Sequence, residues 1–254
     1  MQGGVLRKKY FPLFFGFLVL FLMVAAKALA QSKSINVSIP LDSNGEQIAT
    51  PIKIILIVTL LTFLPAALIS CTSFTRIIVV FSFLRQALGL QSAPPNQVLL
   101  GLSFFMTISI MSPVFVQMHQ NGITPYLDGK MDEKSAFTAS LEPLRRFMYA
   151  QTRTNDLTLL MNISQTPPVN EFKELPTTVL IPAFILSELK TAFEIGFMIY
   201  IPFVVIDMVV AMILLAMGMM VLPPVVISLP FKIMLFVVVD GWDLVVSSLV
   251  KSFK

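Results

Sequence analysis

Apolar residues run along this chain in long blocks, and short polar breaks set their limits. Residues 52–71 are almost wholly apolar, and at ~1.5 Å per helical residue they are long enough to cross the ~30 Å hydrocarbon layer of a bilayer. Pro65 within them predicts a kink. Residues 72–90 are also apolar but carry Arg76 and Arg85 with no acid, and Ser92-Ala93-Pro94-Pro95-Asn96 stops the run. Bases without acids beside a short loop mark a cytoplasmic side. Residues 97–118 form the next block, with Pro113 near its end. Residues 119–178 are the sizeable polar stretch, with seven acids and six bases. Within them, Phe137, Leu141, Leu144 and Met148 recur at helical spacing, so 131–161 reads as largely helical. Residues 164–176 read as a loop. Residues 180–221 are apolar again and reach about twice the bilayer core. Pro182 suits a helix start, Pro202 predicts a bend or break, and Pro223-Pro224 ends the block. Residues 225–250 close the pattern, interrupted by Pro230, Lys232 and Asp240-Gly241. The pattern predicts an all-α integral membrane protein of helical hairpins.

Charges sit inside the last two blocks: Glu188, Lys190, Glu194, Asp207, Lys232, Asp240 and Asp243. Each costs at least ~2.5 kcal/mol at a bilayer centre. They are therefore paired within a protein assembly, or their helices do not all lie in lipid. Glu188 and Lys232, on different helices, are candidates to neutralise one another across a subunit interface. An ion or substrate route explains such charges equally well. Four nominal spans, with 180–194 outside the bilayer, avoid embedding three charges. That outweighs the two lysines near the C-terminus, Lys251 and Lys254.

The N-terminus reads separately. Arg7-Lys8-Lys9, an apolar stretch over 10–26 and Ala28-Leu29-Ala30 form a secretory signal. Cleavage after Ala30 is expected; an uncleaved anchor is the rival reading. The resulting plan is a signal peptide over 1–30, a polar segment over 31–50, a first helical hairpin region over 51–118, a periplasmic polar and helical segment over 119–178, and the charge-bearing helices over 179–254.

Composition agrees. Apolar residues make up 56% of the chain and charged ones 13%, against about 25% in a soluble domain. Mean hydropathy is +0.84. The net charge of +4 comes from four bases in the first thirty residues, which leaves no basic surface for nucleic acid. The single cysteine, Cys71, excludes an internal disulfide, and the single histidine, His119, excludes a histidine-pair metal site and reads as a solvated loop residue.

Enzyme signatures are missing. There is no glycine-rich phosphate loop, no His-Glu-x-x-His run and no Gly-x-Ser-x-Gly elbow. Asp207, Asp240 and Asp243 have no context for an aspartyl dyad; Asp207 reads as a hydrogen-bonding partner of a neighbouring helix. No enzyme, cofactor or metal is expected. Met217-Gly218-Met219-Met220 stands out, just before Pro223-Pro224. Unbranched, soft thioethers fill irregular space and re-pack, and the Gly and Pro-Pro flanks place them on a tight turn. Core filling is the plainer use of such residues.

Several stretches carry a resemblance. These are Pro182-Ala183-Phe184-Ile185-Leu186-Ser187-Glu188-Leu189 with Phe193-Glu194-Ile195-Gly196-Phe197, and Pro230-Phe231-Lys232 with Asp240-Gly241-Trp242. Thr72-Ser73-Phe74-Thr75-Arg76, Ala93-Pro94-Pro95-Asn96-Gln97 and Ile206-Asp207-Met208-Val209-Val210 match as well. Together they resemble the FliP/SctR family over residues 52–242, on its flagellar rather than its virulence branch. The resemblance implies a pore-forming export gate of the bacterial inner membrane and flagellar basal body. It further implies a pentamer with FliQ-like and FliR-like partners in a helical assembly, through which unfolded flagellar proteins pass. An export ATPase and the proton-motive force would supply the energy. Met217, Met219 and Met220 resemble the family's pore gasket, with Val221 where some relatives have a further methionine. Glu188 and Lys232 resemble its inter-subunit polar contact, with Arg153 as a third member. The alternative is a channel or transporter for small solutes or protons, with Glu194 or Asp207 as relay.

Overall fold

A computed structural model describes residues 49–167, 172–219 and 222–253. The expected signal over 1–30 and nearly all of the polar segment over 31–50 lie outside the described residues, as do Met220 and Val221. Every regular element among the described residues is helical. α1 (Ala49–Ser70) crosses the boundary between two compact units, Met1–Leu60 and Leu61–Lys254.

There follow α2 (Phe74–Ala87), α3 (Asn96–Met118), a π-helical turn (His119–Ile123), and α4 (Thr124–Leu127). Next come α5 (Glu133–Gln151), α6 (Thr154–Ile163), a 3-10 turn (Phe172–Glu174), α7 (Thr177–Ala216), α8 (Pro224–Val238) and α9 (Gly241–Lys251). Asp132 caps α5 by accepting from the Ser135 amide at 3.4 Å. The helical pattern read over 131–161 is split where Thr152 and Arg153 turn to extended backbone.

Two helices are long and apolar enough to cross a membrane among the described residues: Asn96–Leu127 and Thr177–Ala216. α8 and α9 form a pair bent by 64°. α2, at 14 residues, is a core helix about 21 Å long. Its buried Ile77, Val80, Phe81 and Leu84 pack with Leu99, Phe203, Phe236 and Leu249. A second cluster joins Met111, Leu144, Met148, Leu180 and Phe184 under the polar segment.

The break expected at Pro202 does not occur: α7 runs through it for 40 residues, about 60 Å. A proline removes one backbone hydrogen bond, and in an apolar bundle packing against neighbouring helices keeps the helix continuous through it. Here α2 and α8 do so. Gly196 lies so close to α2 that an added Cβ would stand 2.6 Å from the Phe83 ring. Phe203, just past the proline, packs on Phe236 at 6.5 Å between centroids. Pro230 likewise sits inside α8. The break comes instead at Asp240, whose φ of 52° ends α8 and opens α9.

Candidate functional site

Buried charges fix how the helices sit. Arg76 and Glu188 are 2% and 0% exposed. Arg76 Nε donates to Glu188 Oε2 at 2.8 Å, and Nη2 donates to Oε1. Nη1 donates to the Ser252 carbonyl at 2.9 Å and to its Oγ at 3.0 Å, and Nη2 also reaches Gln151 Oε1 at 3.2 Å. The Phe253 ring lies 3.9 Å from the guanidinium carbon. Four segments therefore meet at one side chain. In sequence Arg76 marks only a cytoplasmic side and is no candidate for a buried pair. Its signal was present, however: an arginine in an apolar run without an acid of its own requires a carboxylate from elsewhere.

At the other end of α2, Lys232 Nζ donates to Asp207 Oδ2 at 2.6 Å and to the Ala87 carbonyl at 3.2 Å. Ser228 Oγ donates to Asp207 Oδ1 at 2.5 Å. A cation beside the last carbonyls of α2 is also favourable to that helix's dipole. Asp207 is thus held to a neighbouring helix, as its position suggested. Within one chain, Glu188 and Lys232 do not meet. They bind opposite ends of α2, eleven residues apart, or about 16 Å along the helix. Each has its counter-charge inside the subunit.

Arg153 lies between α5 and α6, at the surface. It forms a two-pronged pair with Glu194, at 2.7 and 2.6 Å, and Nη2 also reaches Thr191 at 3.0 Å. The hydrogen bond to Glu194 holds the guanidinium above its ordinary value. Its backbone N–H donates to Ser187 Oγ at 2.9 Å, and Ser187 donates on to Asp156 Oδ2 at 2.8 Å. Lys190 closes the group by binding Asp156 Oδ1. Burial pushes the Asp156 carboxyl up, but the hydrogen bonds from Lys190 and Ser187 outweigh it and hold the group below its usual range.

The methionine turn is built by α7's end. Gly218, at φ 73°, takes the left-handed conformation that favours glycine. Its N–H bonds the Leu215 carbonyl at 3.0 Å, and the Met219 N–H bonds that of Leu214 at 2.9 Å, a Schellman termination. Pro223 and Pro224 then start α8. The turn leaves Met217 and Met219 exposed, at 59% and 43%. Met217 stands about 35 Å along α7 from Glu194, where the polar helices α5 and α6 dock. Met220 lies outside the described residues.

His119 is exposed in the π-helical turn, where its Nδ1 shares a hydrogen bond with Thr124 Oγ1 at 3.1 Å. Among the described residues no three His, Cys, Asp or Glu side chains gather as metal ligands.

Comparison with known proteins bears on all of this. The model of the FliP family matches residues 57–249. The chain is 50% identical over 212 residues to the flagellar biosynthetic protein FliP of Bacillus subtilis, covering 84% of this chain and 96% of that one. It is 47% identical over 239 residues to FliP of Pectobacterium carotovorum, covering 94% and 92%. It is 43% identical over 245 residues to FliP of Borreliella burgdorferi, covering 92% and 96%.

Proposed function

Because the chain belongs to the FliP family, we propose that it is a structural pore subunit of the flagellar type III protein export gate. In this reading it acts in flagellum biosynthesis and passes unfolded flagellar proteins across the inner membrane at the basal body. The observation that carries the reading is the methionine turn. Two exposed thioethers sit on a glycine-terminated turn at the end of a 40-residue apolar helix, far from the polar helices. Other methionines along α7 and α8, such as Met208, Met212 and Met234, are exposed too, but Met217 and Met219 are gathered on one turn between those helices. Five such turns around an axis form a soft ring of Met217, Met219 and Met220. The ring closes the hole to ions and yields to a passing chain, because methionine re-packs easily.

The subunit acts as a homo-pentamer with FliQ-like and FliR-like partners. Glu188 and Lys232 set the arrangement of α2, α7 and α8 that presents the contact surface. Arg153, with its exposed partner Glu194, lies on that surface and supplies the polar contact itself. A proton relay through Asp207 or Glu194 gains no support, since one is bound by Lys232 and Ser228 and the other by Arg153.

The test is conductance. The assembled gate carrying Met217→Ala, Met219→Ala and Met220→Ala should leak ions across a planar bilayer severalfold more than the unchanged gate. Equal conductance would remove the gasket role.

A further inference from the structure

The methionine turn is the tip of a hairpin whose legs are α7 and α8. From residue 195 to residue 238, Asp207 and Lys232 are the only charged side chains. They bind each other from one leg to the other at 2.6 Å. On the side away from the turn, the legs meet through the rings of Phe203 and Phe236. Apolar faces such as these fit together in more than one register, and a polar group placed among them selects one.

Asp207 does more than neutralise Lys232. Its other oxygen accepts from Ser228 Oγ at 2.5 Å, and Ser228 is fully buried. Neutralising a lysine requires no hydroxyl. Two donors four residues apart stand on one face of α8, so together they fix how far α8 is advanced along α7. A slip by one helical turn, about 5.4 Å, breaks both bonds. Lys232 also reaches the Ala87 carbonyl at 3.2 Å, which fastens the clasp to α2.

Beyond the clasp, little else holds the tip. Among the described residues between Asp207 and Ser228, Leu214 alone is buried. Met217 stands ten residues past Asp207, about 15 Å along α7. A register set at the clasp is therefore carried to the turn.

We propose that Asp207, through Ser228 and Lys232, is the positioning residue of the methionine turn. It sets the register of α8 on α7 and so the height at which Met217 and Met219 close the hole. This rests on the gasket reading above and names what holds the gasket in place.

The decisive variant is Asp207→Leu with Lys232→Met. It strands no charge, and Ser228 keeps its bond to the Val225 carbonyl at 3.1 Å, so the thermal midpoint in detergent should stay near that of the unchanged protein. The assembled gate should nevertheless leak ions across a planar bilayer severalfold more, as the triple methionine variant does. Leu249→Ala, a core loss away from the hairpin, should lower the thermal midpoint and leave conductance unchanged. A tight double variant beside a leaking methionine variant overturns the positioning role alone. Tight gates in both remove the gasket reading and this inference with it. A leak from Leu249→Ala as large as that of the double variant shows that leak follows instability, and overturns the proposal. Should the double variant fail to assemble, Ser228→Ala removes one bond without stranding a charge, and the same leak is expected of it; a tight gate there overturns the proposal equally.

Discussion

Arg76 and Glu188, 112 positions apart in sequence, face each other through two N–H···O bonds where solvent does not reach. An arginine has five N–H donors, and all five of these have acceptors: two on Glu188, two on Ser252 and one on Gln151. That completeness is what makes the burial tolerable. A buried ion pair gains little net stability unless its remaining donors are also satisfied, because desolvation offsets the attraction. Here the same bonds tie α2 to α7, to the end of α5 and to the C-terminal turn, so one side chain sets the register of four segments.

Removing either partner strands a charge in the core. Glu188→Gln or Arg76→Met should destabilise the subunit by about 3–5 kcal/mol, seen as a lowered thermal midpoint in detergent. The double change Arg76→Met with Glu188→Leu should recover much of that loss, since an apolar pair leaves no unpaired charge. Recovery should be incomplete, because Gln151 and the Ser252 carbonyl still lose their donors. A double variant no more stable than the single ones would show that the pair does not work as a unit.

The contact of Gly196 with Phe83 leads to a second expectation. A methyl at position 196 would meet the ring at 2.6 Å and its Cβ at 3.0 Å. Gly196→Ala gains helix propensity, yet overpacking typically costs about 1–3 kcal/mol and should win. Combining it with Phe83→Ala removes the ring and should restore part of the loss. A thermal midpoint raised by Gly196→Ala alone would mean that the helices sit further apart than described.

How much of this was readable beforehand depends on distance along the chain. Helical periodicity over Phe137, Leu141, Leu144 and Met148 is local, and α5 follows it. The turn at Gly218 is local too, written in a glycine followed by two prolines. The unbroken path of α7 through Pro202 was not readable, because Phe83 and Phe236, which pack on either side of it, come from other segments. The partners of the buried charges were hidden for the same reason. The sequence shows that Glu188 and Lys232 need counter-charges, but several acids and several bases satisfy that need equally well until α2 is placed between them. Arg76 reads in sequence only as a mark of the cytoplasmic side, although a base in an acid-free apolar run also requires a carboxylate from elsewhere.

Asp156 makes the fold sensitive to acid. Its carboxyl is buried at 1% exposure, yet Lys190 and Ser187 hold its folded value below the ordinary one. A depressed folded value contributes stability that is fully present above the unfolded value and is lost as pH falls through the folded one. Chemical denaturation across acidic pH should therefore show a loss of stability that Asp156→Asn largely removes. The variant should be less stable near neutral pH and converge on the unchanged protein at low pH. Curves that stay parallel over the whole range would rule out this carboxyl as the source.

The exposed pair of Arg153 and Glu194 is where subunit contact is most open to test. Both side chains are well solvated, at 38% and 61% exposure, so within one subunit the pair contributes little. Surface charges govern recognition more than folding, since like charges brought face to face suppress association. Arg153→Glu alone should therefore leave the thermal midpoint of the separated subunit nearly unchanged and shift the purified assembly from the proposed pentamer to smaller species in light scattering. Adding Glu194→Arg restores opposite charges at the same two sites and should bring part of the pentamer back. Glu188→Gln acts through the core, so it should lower the thermal midpoint as well as the pentamer yield. Should Arg153→Glu leave the pentamer whole, the polar contact lies elsewhere on the subunit. Should it lower the thermal midpoint as far as Glu188→Gln does, its role is in folding rather than assembly.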